Sequence, residues 1–333
     1  MEQQATGQPR ALAHAAMAAG HAHAPRGRRP RDRKIRGAPP HRCKPCGFLA
    51  SRPRATLARA VQHFHRSRPM STLIHRPEPL RGFHDEGHGF DLFGLHPPTL
   101  RRTLALGGRL CDRYFRTRSY GAWNIPAEGP AILVANHGGA LPIDAALLLL
   151  DVDRTTGRIV RPITDRFVPA LPLISTYFAR VGAVVGTPTN VARLLARGEL
   201  IAIWPEGAAG IAKPVRDRYQ MKTWQVGHAE LAIRHRAPII PVAILGAEES
   251  WPVIGRIKRF HRFGIPFLPV PATPLPLPLR HAIYYGAPIA LHDGLGDGAA
   301  DDPGVVARAA ARVRLALAGL LHDARAARAG RLM

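Results

Sequence analysis

His137 and Asp144 stand seven residues apart in the segment Val134-Ala-Asn-His-Gly-Gly-Ala-Leu-Pro-Ile-Asp144. A carboxylate bonded to one imidazole nitrogen fixes the tautomer, which leaves the other nitrogen able to take a proton from a substrate. The apolar run Ala131–Ala135 before the histidine reads as a short buried strand, and Pro142–Leu150 after it as a helix. The pair is therefore expected at a strand end, where ligands collect in α/β sheets. Gly138 and Gly139 permit a tight turn whose N–H groups could face an oxyanion. Taken alone, such a pair also fits a structural hydrogen bond.

A second strand exit, Ile203-Trp-Pro-Glu-Gly207, presents Glu206 at a sheet edge. Proline stops the ladder there and Gly207 allows close backbone approach. Lys213, Arg216 and Arg218 follow, with the charge that suits a phosphate or a solvated loop. A third segment, Pro238 to Glu248, reads as a buried strand ending in a turn with acids. Two patterns hint at metal and fall short of it. Cys43-Lys-Pro-Cys46, with His41, His63 and His65 near, is half a zinc site without a second pair, so free cysteines are expected. His84-Asp-Glu-Gly-His88 has histidines four apart, but its glutamate is one place late and Gly87 argues against a helix. No metal is expected. The sequence has no Gly-x-Ser-x-Gly elbow, and Cys111 falls on an apolar helix face as a buried structural thiol.

The elements that must hold these residues alternate from residue 121 onward. Beyond the strand at 131–135, the pattern predicts strands at Gly182–Val185, Leu200–Trp204, Ile239–Leu245 and Ala282–Tyr285. Helices are predicted at Asn190–Arg197, Gln220–His235 and Pro303–Arg328, the last with Val306, Val313, Leu317 and Leu320 on one face. Pro266–Pro278 reads as an extended surface connection. The expectation is one α/β domain with a central mixed, largely parallel sheet flanked by helices. Ahead of it, 97–118 reads as an amphipathic helix. Leu100, Leu104, Cys111, Tyr114 and Phe115 share one face, and Arg102, Arg109, Arg113 and Arg116 the other. That helix could pack on the domain, lie on an anionic membrane, or both.

The chain has 333 residues, of which 46% are apolar, enough to bury a sizeable core. That excludes disorder of the whole chain. Its apolar runs are too short to span a bilayer, and three cysteines cannot build a disulfide scaffold at this length. The net charge of +24 is uneven. Residues 1–69 hold thirteen arginines and two lysines against Glu2 and Asp32, a net of +13. This stretch is rich in Ala, Arg, Pro, Gly and His and reads as a disordered basic tail without a signal peptide. The expected division is 1–69 as tail, 70–120 as an amphipathic membrane-proximal segment and 121–333 as the catalytic domain. A surplus of positive charge attracts nucleic acid, anionic lipid or phosphorylated substrates alike.

In combination the three segments resemble the glycerolipid acyltransferase family, the PlsC-like lysophospholipid acyltransferases. The residues that carry the resemblance are Asn136-His137…Asp144, Arg180-Val-Gly-Ala183, Trp204-Pro-Glu-Gly207, Pro238-Ile-Ile-Pro-Val242 and the lead-in Asn124–Pro130. Six residues separate His137 from Asp144 where the common family form has four; the Leu141-Pro142-x-Asp144 version is similar to a bacterial branch. Trp204 stands where the family has Phe, and Ala208 where it has Thr or Ser. The resemblance implies a glycerol-3-phosphate acyltransferase-like fold and direct transfer of an acyl group from a thioester to a lysophospholipid hydroxyl. His137 would be the base and Asp144 its orienting partner, with the Gly138 and Gly139 N–H groups at the oxyanion. Glu206 and Gly207 would position the acceptor headgroup, and Arg180, Lys213 and Arg218 its phosphate. It further implies no cofactor beyond acyl-CoA or acyl carrier protein as co-substrate, and a lysolipid acceptor. The implied location is peripheral or monotopic, at the phospholipid surface on the cytoplasmic face of the cell membrane. The alternatives are an inactive or hydrolytic lipid-binding relative and, for the basic tail, a nucleic-acid binder. Aromatics at 6% and the lack of any nucleic-acid-binding signature weigh against the last.

Overall fold

Strand β2 (Ala131–Ala135) is buried at all five positions, as an apolar run without alternation requires when both faces of a sheet are covered. In the computed structural model, which describes residues 83–211, 213–258 and 266–330, it lies at the centre of a seven-stranded sheet. The sheet order is β1 (Arg118–Tyr120), β9 (Ala282–Tyr285), β6 (Ile239–Leu245), β2, β5 (Leu200–Ile203), β3 (Val160–Thr164) and β4 (Val184–Val185). The five strands from β6 to β4 are parallel; β9 runs antiparallel to β6, and β1 follows β9. The mixed, largely parallel sheet read from the sequence is the one observed. The basic tail 1–69 and the Cys43–Cys46 pair lie outside the described residues.

Helices cover both faces. Leu133 and Ala135 point toward α1 (Pro97–Arg109) and α2 (Ile143–Thr156), in a cluster with Leu100, Phe115, Leu147, Leu148 and Val152. Ile132 and Val134 point the other way, to α4 (Pro188–Ala196), α5 (Gly227–Arg234) and α6 (Pro303–Ala329). The long last helix starts at Asp302, whose carboxylate accepts N–H bonds from Gly304 and Val305 with Pro303 in the first turn. Its buried positions are Val306, Ala310, Val313, Leu317, Leu321 and Ala324, so Leu321 and not Leu320 continues the stripe.

The structure corrects several expectations. From residue 83 onward the segment before residue 121 does not stand apart from the domain. Leu100, Cys111 and Phe115 are buried in the core, and β1 is a member of the main sheet. Of the placements open to the apolar stripe, Leu100, Cys111 and Phe115 take packing on the domain. Helix α1 ends at Arg109 and passes into a π turn, Leu110–Tyr114. A Cβ at Gly107 would lie 2.8 Å from Leu150 Cδ1, so this helix-weakening glycine lets α1 approach α2 closely. Strand β3 escaped the sequence reading because Arg161 and Pro162 interrupt its apolar run. Arg161 is buried there, 2.7 Å from Asp91 Oδ2 and 3.5 Å from Glu199 Oε2. Helix α5 begins seven residues later than expected, because the backbone before it is committed elsewhere, as described below. The proline-rich connection contributes β8 (Leu268–Pro271), paired antiparallel with β7 (Val253–Ile257) in a second, two-stranded sheet. His84 and His88 flank a turn in which Asp85 accepts three backbone N–H bonds, not a helix.

Candidate active site

The C-terminal ends of the parallel strands form the edge on which the site is built. Directly after β2, the Asn136 side chain bonds both ways to Ile244 at the end of β6. Its Nδ2 donates to the carbonyl at 3.1 Å, and its Oδ1 accepts from the N–H at 2.8 Å. This amide replaces ladder bonds just where the strands part, and so fixes the start of the loop. His137 follows, 7% exposed, with its ring 5.5 Å from that of Trp204. Its Nδ1 lies 2.6 Å from Asp144 Oδ2. Among the described residues Nε2 has no protein partner. Asp144 is 1% exposed and sits in the first turn of α2, where the positive end of the helix dipole favours a carboxylate. It also accepts from the N–H groups of Gly138 (3.2 Å) and Ala145 (2.9 Å).

The Gly138–Gly139 turn departs from the sequence reading in one respect. The Gly138 N–H is taken by Asp144 and does not face an incoming oxyanion. Gly139, at φ +102°, is the member whose N–H makes no bond among the described residues. Gly138 is required for space. A Cβ there would collide with Glu248, 2.1 Å from its Cγ. Gly210 is tight in the same way, since a Cβ would lie 2.6 Å from His137 Cβ.

Glu206 does not point outward to an acceptor. It is 2% exposed and its oxygens are filled from within. Oε1 accepts the His137 backbone N–H at 3.1 Å, and Oε2 that of Lys222 at 2.8 Å. Lys213 Nζ lies 3.2 Å from Glu206 Oε2, 3.2 Å from Glu248 Oε1 and 3.2 Å from the Gln220 carbonyl. Lys213 is thus a buried counter-ion between two carboxylates, with no free valence for a phosphate. Burial pushes the Glu248 carboxyl above the usual carboxylate range, and Lys213 and the Tyr219 N–H, 2.8 Å from Oε2, pull it back. Tyr219, at φ +63°, accepts the Gly246 N–H on its hydroxyl. Residues 220–226 are not helical because their backbone is engaged elsewhere: the Lys222 N–H on Glu206, the Gln220 carbonyl on Lys213 and the Gln225 N–H on the Pro205 carbonyl.

The remaining expected residues lie apart. Arg180 ends α3 (Ile174–Arg180) and is exposed; its carbonyl accepts the His96 N–H at the opposite edge of the sheet. It leads into β4, three strand positions from β2, about 14 Å at roughly 4.8 Å per strand. Arg218 is exposed beside Tyr219. Gly207 follows Glu206 at φ +54°. A Cβ there would meet Gln225 Nε2 at 3.2 Å and Asp165 Oδ2 at 3.8 Å. Glu248, Tyr219, Gln225 and Asp165 were not singled out from sequence. The one available signal was Gly246-Ala-Glu248, a glycine and an acid at the end of a strong strand.

The arrangement holds an imidazole with one nitrogen anchored and one open, a geometry suited to a general base acting on a hydroxyl. Residues 116–245, which contain His137, Asp144, Glu206 and Lys213, match the acyltransferase family model. The matched segment is the one that carries the PlsC-like motifs. Over 213 residues the chain is 37% identical to an uncharacterized protein of Mycobacterium tuberculosis, a match covering 60% of this chain and 59% of that one. A Mycobacterium leprae protein is 35% identical over the same length, with 60% and 58% covered. A human protein named "DGAT1/2-independent enzyme synthesizing storage lipids" is 29% identical over 194 residues, covering 56% of this chain and 55% of that protein. The matches therefore span less than two thirds of these relatives. Among solved structures, the 1-acyl-sn-glycerophosphate (LPA) acyltransferase PlsC from Thermotoga maritima superimposes with a TM-score of 0.45 at 17% identity, over 66% of this chain and 79% of that one. Among the described residues no helix is long and apolar enough to cross a membrane.

Proposed function

We propose that the protein transfers a fatty acyl group from an acyl thioester to the hydroxyl of a glycerolipid, with His137 as general base. The observation that carries this reading is the 2.6 Å contact between His137 Nδ1 and Asp144 Oδ2, with Nε2 left open at a strand end. Nε2 takes the proton of the acceptor hydroxyl as its oxygen attacks the thioester carbonyl. The tetrahedral oxyanion receives the Gly139 N–H. Collapse breaks the C–S bond, and the proton on Nε2 leaves with the thiolate. Asp144 stabilises the imidazolium while that proton is held. Glu206 acts one step back, by fixing the His137 main chain.

The donor is acyl-CoA or acyl carrier protein. The acceptor is a lysophospholipid or a related glycerolipid taken from a membrane surface; the storage-lipid name of the human relative extends the candidates to neutral glycerides. The test is to incubate purified full-length protein with mixed lysophospholipids, diacylglycerol and each acyl donor, and to identify the products by mass spectrometry. His137→Ala should lower kcat at least roughly a hundredfold in a protein that still folds, with a melting temperature lowered by the loss of the buried contact to Asp144. Asp144→Asn should cause a smaller loss. A folded His137→Ala protein with near wild-type transfer would overturn the assignment.

A further inference from the structure

With the Leu100–Phe115 stripe buried, a different apolar surface is left facing solvent. Leu173 is 86% exposed, Leu106 68%, Leu110 49% and Tyr177 45%. Leu173 sits immediately before α3, four residues ahead of Tyr177, and Leu106, near the end of α1, is followed by Leu110 in the π turn, which gives each helix end an apolar face. The two faces adjoin. Tyr177 Oη lies 3.0 Å from Thr103 Oγ1, and Leu106, Tyr177 and Arg102 line one open groove of about 380 Å³. Leu173 also holds φ +64°, a conformation costly for a leucine, with its side chain touching little of its own domain.

Topology sets this surface beside His137. Helix α3 leads from the C-terminal end of β3 back to the start of β4, so Leu173 lies at the edge of the sheet that carries the site. His96, before α1, is held at the opposite edge by the Arg180 carbonyl. Leu106 lies ten residues further on, about 15 Å along the helix toward the site edge. Leu141, in the loop between His137 and Asp144, is 52% exposed on that same edge. Charge frames the patch. Arg102, Arg109 and Arg113 are exposed around it and make no ion pair among the described residues, whereas Asp112 is neutralised by Arg154 at 2.8 Å.

We propose that this face, the tips of α1 and α3 with Leu106, Leu110, Leu173 and Tyr177, docks on an anionic phospholipid bilayer and sets the mouth of the His137 site against the lipid surface. Leucines enter the interface and the arginine rim meets the headgroups. The proposal does not rest on acyl transfer, because docking is read without turnover.

The test uses the full chain with vesicles of phosphatidylcholine alone, or of equal parts phosphatidylglycerol and phosphatidylcholine. Hydrogen exchange should slow in peptides covering 104–113 and 171–177 when the mixed vesicles are added. Leu106→Asp with Leu173→Asp should reduce partitioning onto mixed vesicles at least roughly tenfold. Arg102→Gln with Arg109→Gln should weaken binding to mixed vesicles by a similar factor, and leave binding to phosphatidylcholine alone unchanged. Both variants should keep their melting temperatures and their turnover of a soluble, monomeric acceptor, which separates failed docking from failed chemistry. Sedimentation with vesicles while exchange at 104–113 and 171–177 stays unchanged would overturn the proposal, since the chain would then be held elsewhere. Protection of the same peptides without vesicles, rising with protein concentration, would overturn it in favour of a second copy.

Discussion

Replacing Lys213 with methionine tests whether the lysine is a counter-ion inside the protein or a ligand for substrate phosphate. Its side chain is 1% exposed and shares 3.2 Å contacts with Glu206 and Glu248. Methionine keeps the volume but leaves two buried carboxylates facing one uncharged side chain. Breaking a buried ion pair from one side typically costs about 3–5 kcal/mol. For a domain of this size that is a fall in melting temperature of roughly 10 °C. The loss should depend on pH. The Glu248 carboxyl is already raised by burial, with Lys213 opposing, and removing Lys213 raises it further. A carboxyl raised in the fold binds its proton more tightly there than in the unfolded chain. Its stability contribution is therefore complete below the ordinary carboxylate range and is lost as pH rises through the folded value. Lys213→Met should melt closer to wild type at pH 5 than at pH 8, and Glu248→Gln added to it should recover part of the loss at pH 8. Scanning calorimetry across that range is the assay. A Lys213→Met protein with wild-type melting at every pH and a raised KM for a phosphorylated acceptor would refute the argument and restore the phosphate role.

Gly138→Ala must displace Glu248 from its 2.1 Å collision distance; a loss of about 1–3 kcal/mol in urea unfolding, with a fall in turnover, is expected. Burial lowers His228 and His281 to about 4, so both are neutral in the fold. The unfolded chain protonates them near 6.5, so the stability they give is present above that pH and lost as pH falls toward 4. His228→Gln with His281→Gln should flatten that slope in denaturant titrations. Burial pushes the Cys111 thiol up to about 11; peptide mapping after iodoacetamide at pH 8 should find it unmodified in the native protein and modified in guanidinium.

The His137–Asp144 contact was legible because it depends on local order: an apolar run, a histidine, two glycines and a carboxylate opening a helix. The sheet was legible for the same reason wherever a strand is apolar throughout. Arg161 and Pro162 hid β3, since a buried arginine is affordable only with Asp91 and Glu199 beside it, and those partners come from distant parts of the chain. The roles of Glu206 and Lys213 were hidden in another way. Their types and spacing suit an acceptor phosphate as well as a buried brace, and only the burial of both, with main-chain donors on Glu206, decides between them. Arg180 fits a motif along the chain yet ends a helix at the wrong edge of the sheet, a matter of chain direction that residue order does not reveal.

The position of β2 at the middle of the sheet bears on how the chain emerges from the ribosome. Ile132 pairs with Ile201 on one side and Ile239 on the other, so its second neighbour is 107 residues downstream. At about 5–20 residues per second, synthesis reaches that neighbour about 5 to 20 s after β2 itself. Throughout that interval an entirely apolar strand, with His137 at its end, has a bare edge. The protein's most vulnerable moment is thus in its own synthesis, when β2 is the segment a chaperone would need to cover.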